Sequence, residues 1–237
     1  MNKVQKTTLT PSQLQQLAHT TSRIGKFDIC HFDELVSTQI YLLEMLKENK
    51  LQTPIAVITN EQSSGLGSRN NSWSGGEGNF FASIALNLDM LPEDLPFGSA
   101  SIYFSFIMKQ TLESLGENIW LKWPNDFYFN DDKIGGTITK KVNNTLVCGI
   151  GINLKKSQNG YRALQCDISA QKLLENYLLA LEEFPKWKQI FREYEIEFEL
   201  SRKFSVHIEN DKKSLSDATL CEDGSLIIEG EKVFSLR

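Results

Sequence analysis

A proline has no N–H to give a sheet ladder and restricts the residue before it, so a central strand cannot run through one. The apolar strand predicted at Ile119–Lys122 runs into Trp123-Pro124, and the chain has to turn there. That turn presents Asn125 and Asp126. A short apolar run follows, a second turn at Asn130-Asp131-Asp132 reverses the chain, and the return strand delivers Lys133, Ile134, Gly135 and Gly136. An ammonium beside backbone that carries no Cβ suits an anion approached closely. The chemistry points to a phosphate or carboxylate site, and a tight hairpin with solvated polar residues explains the same turn.

The 237 residues suffice for one sizeable core and a small appendage, at about 100–200 residues per domain. Apolar residues make up 41% and charged ones 23%, the ordinary balance of a globular protein. A net charge of −5 argues against a standing grip on nucleic acid, which favours a basic face, but leaves nucleotides to a local cluster. Cys30, Cys148, Cys166 and Cys221 lie far apart without a Cys-x-x-Cys pair, so the default is reduced thiols with neither zinc nor disulfides. The longest uncharged apolar-leaning run, Phe97 to Met108, falls short of the roughly 20 residues of a membrane span, and no signal pattern opens the chain. The expectation is a soluble cytoplasmic protein without membrane contact.

Residues 1–26 are polar, with one short helix predicted from Ser12 to about Ile24 and Ser12 as its candidate cap. They are too few for a winged-helix DNA-binding domain. After a strand at Phe27–Phe32, Ser37-Thr38 precedes Ile40, Tyr41, Leu42, Leu43, Met45 and Leu46, spaced as an amphipathic helix. A hydroxyl there caps the helix, and the same N-terminus offers N–H groups to a ligand. The strand Ile55–Thr59 leads into nineteen residues, Glu61 to Asn79, holding five glycines, Arg69 and Trp73. A structureless loop that long is usually functional, yet it fits neither phosphate-loop pattern.

Further on come a strand at Phe80–Leu86 and a helix at Ser99–Leu115. Ile134–Val142 and Leu146–Leu154 form a hairpin through Asn143-Asn144, and Gly149 and Gly151 let something approach its second strand. Helices at Ala170–Glu183 and Lys186–Leu200 carry leucine and aromatic stripes that read as core. From Phe204, short alternating segments make a β unit of about 35 residues, too small to stand alone.

Taken together, Gln62-x-x-Gly-x-Gly-x-Arg-x-x-x-Trp73, Lys122-Trp-Pro-Asn-Asp126, Lys133-Ile-Gly-Gly136 and Gly149-Ile-Gly-Ile-Asn153 follow the order and spacing of the biotin protein ligases. From about residue 27 onward the chain resembles that family. The resemblance implies an α+β fold. Residues 27–201 would form a catalytic domain like that of class II aminoacyl-tRNA synthetases, a mixed sheet flanked by helices. Residues 202–237 would form a small SH3-like β domain, with 1–26 as an N-terminal extension. It also implies ATP and biotin as substrates, with Mg²⁺ entering through the ATP phosphates and no metal ligands from the protein. Biotin would become biotinyl-5′-AMP and then pass to one lysine of a biotin carboxyl carrier protein domain of a biotin-dependent carboxylase. Lacking the DNA-binding domain, the chain looks like the monofunctional ligase, with no nucleic-acid partner.

Carried over position by position, the resemblance assigns biotin contacts to Ser37, Thr38, Gln39, Gln62, Leu66, Gly67, Trp73, Gly135 and Gly136. It assigns adenylate contacts to Gly65, Ser68, Arg69, Lys122, Asn125, Lys133 and Asn153, and catalysis to Lys133 and Asp126. The chemistry agrees. A ureido ring needs a few polar partners in an apolar pocket. Attack of a carboxylate on a phosphate brings two anions together, which Lys133 would neutralise. The acceptor amine has a reference pKa near 10.4, and a carboxylate such as Asp126 would orient it. One departure stands out: the family loop usually reads Gly-Arg-Gly-Arg, whereas here Leu66 and Ser68 stand at the arginine places and Arg69 lies one place beyond. The rival readings are a lipoate or octanoyl ligase or transferase on the same fold, and a nonenzymatic biotin or nucleotide sensor.

Overall fold

The computed structural model describes residues 20–67, 72–73, 76–155, 162–208 and 211–234. Thr20–Ile24 (β1) and Phe27–Leu35 (β2) form an antiparallel hairpin about Gly25, whose φ of 52° suits a residue without a Cβ. The helix predicted up to Ile24 is therefore a strand over Thr20–Ile24: its β-branched residues pair with β2 and cover that edge. Residues 12–19, with the candidate cap Ser12, lie outside the described residues. Helix α1 (Thr38–Lys47) starts where its apolar spacing required, with Ser37 Oγ accepting from the Ile40 N–H at 3.4 Å. Ile55–Gln62 (β3) follows and pairs with β2 in parallel. The glycine loop is not structureless throughout, because Gly65–Leu66 (β4) and Ser72–Trp73 (β5) pair within it.

The remaining main-sheet strands are Phe80–Asn87 (β6), Trp120–Lys122 (β7), Asp126–Phe129 (β8), Asp132–Val142 (β9) and Thr145–Ile152 (β10). They give one eight-stranded mixed sheet in the order β1-β2-β3-β6-β10-β9-β8-β7. The predicted turns hold: Val142 pairs with Thr145 across Asn143-Asn144, and Lys122 pairs with Asp126 across Trp123-Pro124-Asn125. Between β6 and β7 runs helix α2 (Ala100–Ser114), and after β10 come α3 (Ala170–Glu182) and α4 (Trp187–Phe198). The C-terminal region carries two small antiparallel sheets. One pairs Ser205–Ile208 (β11) with Asp211–Ser214 (β12), and the other joins Thr219–Leu220 (β13), Leu226–Ile228 (β14) and Glu231–Val233 (β15).

The two faces of the main sheet are covered unequally, and this makes the cavity. On one face α2 is apolar nearly all round and is buried between the sheet and the amphipathic α3 and α4. On the other, α1 lays Leu42, Met45 and Leu46 over Val57, Ala85 and Val147. Each such buried side chain contributes about 1.5–3 kcal/mol. Beside the N-terminus of α1 the same face bears small residues: Ser83 on β6 is paired with Gly149 on β10, and Gly151 with Gly136 on β9. Ile138, paired with Gly149, is the large side chain on that stretch of floor.

The β7 edge is fixed from the helical side. Glu197 on α4 reaches Lys109 on α2 at 2.5 Å, and its other oxygen accepts the Leu121 N–H at 2.5 Å. Burial works against the Lys109 ammonium, but Glu197 and Glu113 outweigh it and raise its pKa. Burial raises the Glu197 carboxyl in spite of the ammonium beside it.

Candidate active site

The cavity has a volume of about 300 Å³, and its floor is the glycine-rich face of β9 and β10. At one end stands the N-terminus of α1. Gln62, at the end of β3, accepts the Thr38 N–H on Oε1 at 2.8 Å, and that backbone donor decides which way its carboxamide points. Thr38 Oγ1 lies 2.8 Å from Ser83 Oγ, Ser83 donates to Gln39 Oε1 at 3.2 Å, and Gln39 Nε2 donates to the Val147 carbonyl at 3.3 Å. Thr38 Oγ1 also lies 3.1 Å from Gln62 Oε1, so its one proton goes either to Ser83 or to Gln62. All four side chains take part in one network, so this wall is pre-organised.

At the other end lie Asp126 and Lys133. Asp126 begins β8 opposite Gly136, and Lys133 lies on β9 opposite Tyr128. Lys133 Nζ is 2.6 Å from Asp126 Oδ1 and 5.9 Å from the centroid of the Trp73 ring. The glycine between them matters, since a Cβ on Gly136 would stand 3.3 Å from Asp126 Oδ1 and 3.7 Å from Lys133 Cε. Asn125 holds the turn against β9 twice, accepting the Thr137 N–H on its backbone oxygen at 3.0 Å and donating its side-chain amide to the Thr137 carbonyl. Asn153, just past β10, donates its backbone N–H to Ile134 at 2.8 Å and its side-chain amide to Arg162 at 3.1 Å.

Trp73 is the side wall. Its indole lies on β10 where Gly151 leaves room: a Cβ there would sit 2.8 Å from Nε1. Gly149 does the same for Gln39, whose Oε1 would be 2.5 Å from a Cβ. The close approach read from these two glycines is therefore made by side chains of the chain itself. Trp73 Nε1 is buried without a hydrogen-bond partner among the described residues, and Trp73 lines the cavity; Thr137 Oγ1 is unpaired among them too, but lies on the core-facing side of β9 with Gly135. Orphaned polar groups in a cavity wall are groups a polar ligand can satisfy.

Of the residues singled out from sequence, Ser37, Thr38, Gln39, Gln62, Leu66, Gly67, Trp73, Asn125, Asp126, Lys133, Gly136 and Asn153 meet around this one cavity. Three do not line it. Lys122 lays its ammonium 5.8 Å from the ring centre of Tyr128 and 5.6 Å from that of Phe204. Gly135 faces the core, where a Cβ would meet the Gly151 carbonyl at 2.6 Å. Gly65 pairs with Trp73, and a Cβ on it would press on Gln62 Nε2 and the Trp73 carbonyl, both at 2.7 Å. Ser68 and Arg69 lie outside the described residues. Sequence reasoning missed Ser83 and Thr137. The signal for Ser83 was a lone hydroxyl in an apolar strand. Also missed was Asn79, whose Oδ1 accepts the Leu154 and Lys155 N–H groups at 2.9 and 3.0 Å while Nδ2 donates to the Gly76 carbonyl at 3.0 Å, tying the glycine loop to the end of β10.

The sequence profile of the Biotin/lipoate A/B protein ligase family matches residues 32–157, more than half of the chain and every strand that floors the cavity. This chain belongs to that family. Among solved structures, this family member is similar to the biotin acetyl coenzyme A carboxylase synthetase from Helicobacter pylori with bound biotinylated ATP. The two are 40% identical with a TM-score of 0.84, over 87% of this chain and 98% of that one. The bifunctional ligase/repressor BirA of Escherichia coli is 29% identical over 149 residues, 59% of this chain and 45% of BirA. The human biotin–protein ligase is 30% identical over 156 residues, 58% of this chain and 20% of that protein. The chain thus spans less than half the length of these two relatives. The mixed sheet flanked by helices, with small β-sheets at the C-terminus, is the architecture of the Helicobacter enzyme.

Among the described residues no helix is long and apolar enough to cross a membrane. Nor, among them, does any group of three or more His, Cys, Asp and Glu side chains converge as a metal site. Among the described residues Asp126 is the carboxylate lining the cavity, and it is paired with Lys133.

Proposed function

We propose that this chain is an ATP-dependent biotin protein ligase of the cytoplasm. It would join biotin to ATP as biotinyl-5′-AMP and then pass biotin to a lysine of a biotin carboxyl carrier protein domain. The observation that carries the reading is the pairing of a polar, pre-organised wall with a lysine–carboxylate pair across a floor of glycines. Thr38, Gln62 and Ser37 are the partners a ureido head requires, and Trp73 supplies an apolar wall. In the first step a biotin carboxylate oxygen attacks the α-phosphorus, a P–O bond forms and pyrophosphate leaves. Lys133 stabilises the negative charge gathered on the two reacting anions. ATP would bring Mg²⁺ as the counter-ion of its phosphates. In the second step the carrier's amine attacks the acyl carbon, the amide forms and AMP leaves. Asp126 orients that amine and accepts its proton.

The polar network favours this reading over a lipoate or octanoyl ligase, because a linear acyl chain has little use for four linked polar side chains. The test is incubation with labelled biotin, ATP and Mg²⁺, with and without a carrier domain, against octanoate and lipoate. Biotinyl-5′-AMP without carrier and labelled carrier lysine with it are the expected products. Product from lipoate or octanoate alone would move the chain to the other branch of the family. Binding of biotin with no product at all would leave a sensor.

A further inference from the structure

The turn Cys221–Ser225 of the C-terminal region is closed on itself, with the Gly224 N–H donating to Cys221 and the Cys221 N–H donating to Ser225, both at 2.8 Å. Its outer carbonyls point into the main body, and three successive ones are taken by side chains there. Trp187 Nε1 donates to the Glu222 carbonyl at 2.9 Å, Ser99 Oγ donates to Asp223, and Trp123 Nε1 donates to Gly224 at 2.9 Å. The fit excludes any larger residue at the tip, because Gly224 has a φ of 74° and a Cβ would stand 2.4 Å from Ser99 Oγ. Two of the donors rest on helical segments. The third belongs to the three-residue connection between Lys122 and Asp126, and is itself buried with its backbone N–H on Ser201 Oγ at 3.0 Å.

We propose that Trp123 is a positioning residue for the cavity, through which the Glu222–Gly224 turn of the C-terminal region sets the place of Asn125 and Asp126. The proposal rests on the biotin-ligase reading for its kinetic consequence, though not for its geometry. Trp123 does not itself line the cavity. Its indole anchors one side of the turn while Asn125 clamps the other side to Thr137. Asp126 follows directly and meets Lys133. A carboxylate that must orient an incoming amine is sensitive to displacements of the order of 1 Å, which can cost up to about a hundredfold in rate.

The test compares Trp123→Phe with Trp187→Phe in the full chain. Each removes one indole N–H from neighbouring carbonyls of the same turn, so a merely structural role predicts equal effects. The first readout needs no substrate: hydrogen exchange of the Thr137 amide, which donates to Asn125. Trp123→Phe is expected to speed it about fivefold or more, and Trp187→Phe to leave it within about twofold. In the second readout, Trp123→Phe lowers kcat for transfer to the carrier about tenfold with the KM for biotin within about twofold, while Trp187→Phe changes neither. Equal effects of the two variants, or no effect of Trp123→Phe, overturn the proposal. Should Trp123→Phe fail to fold, Ser201→Ala frees the backbone N–H of Trp123 and is expected to move both readouts the same way; no movement overturns the proposal equally. A wild-type chain that forms no biotinyl-5′-AMP would sink the ligase reading, and Thr137 exchange would still decide the positioning.

Discussion

Lys133 and Asp126 were assigned to different half-reactions, yet they are bonded to each other at 2.6 Å with side chains 39% and 21% exposed. A pair this open to water contributes about 0.2–1 kcal/mol to stability. For a chain of this size, 1 kcal/mol moves Tm by about 2–4 °C. Removing a group that meets developing charge in a transition state costs about 2.7–4 kcal/mol, or 10²–10³ in rate. The two scales separate a structural role from a chemical one. Lys133→Ala should lower adenylate formation by about a hundredfold or more while Tm falls by less than about 4 °C. Asp126→Asn frees the lysine from its carboxylate, and the most that can return is the energy of the pair, so adenylation should stay within about fivefold of wild type. Transfer from preformed biotinyl-5′-AMP should drop by about 10²–10⁴ in the same variant. Single-turnover assays with labelled biotin, quenched before and after carrier is added, read the two steps apart. If Asp126→Asn loses adenylate formation as completely as Lys133→Ala, the carboxylate serves only to hold the lysine, and the division of roles is wrong.

Glu197→Gln keeps an acceptor for the Leu121 N–H but strips the buried Lys109 of its nearest carboxylate. Denaturant titration should show a loss of about 3 kcal/mol, moderated by Glu113, and adding Lys109→Met should restore most of it. A loss below about 1 kcal/mol would mean that the pair is well hydrated. Gly151→Ala places a methyl 2.8 Å from Trp73 Nε1 and 2.9 Å from Cε2. The indole has to move, and the apparent KM for biotin should rise about tenfold; an unchanged KM removes Trp73 from the biotin wall. Burial lowers the His31 pKa below 6.5, against a smaller opposing effect of Glu175. The unfolded chain therefore binds this proton first, and stability falls as pH drops through 6.5. Urea midpoints of His31→Gln across that range should show a shallower acid slope than wild type, and identical slopes would reassign the proton uptake to other groups.

Much of the fold was legible where the signal was local. The Trp123-Pro124 stop, the Asn143-Asn144 turn and the hydroxyl cap at Ser37-Thr38 each depend on a few neighbouring residues; each appears where the sequence put it, and the structure chooses Ser37 for the cap. Thr20–Ile24 was misread because its strand character is set by β2 lying beside it, a partner invisible in local periodicity. The motifs named most of the cavity residues, but not what each one touches. Lys122 carries the same charge as Lys133, and only the register of β7 on β8 sends it to the aromatic rings of Tyr128 and Phe204. Gly135 and Gly136 look alike in sequence, and the alternation of β9 turns one to the core and the other to the cavity. The sequence by itself determined which residue types, in which order, could make an anion site at a proline-forced turn. The tertiary structure decided that Ser83, Gly149, Gly151 and Gly136 form one floor, that Gln62 spends its carbonyl on Thr38, and that Lys133 meets Asp126. Those contacts join residues 7 and 24 positions apart or lie across paired strands, and the fold creates such proximity where sequence spacing does not.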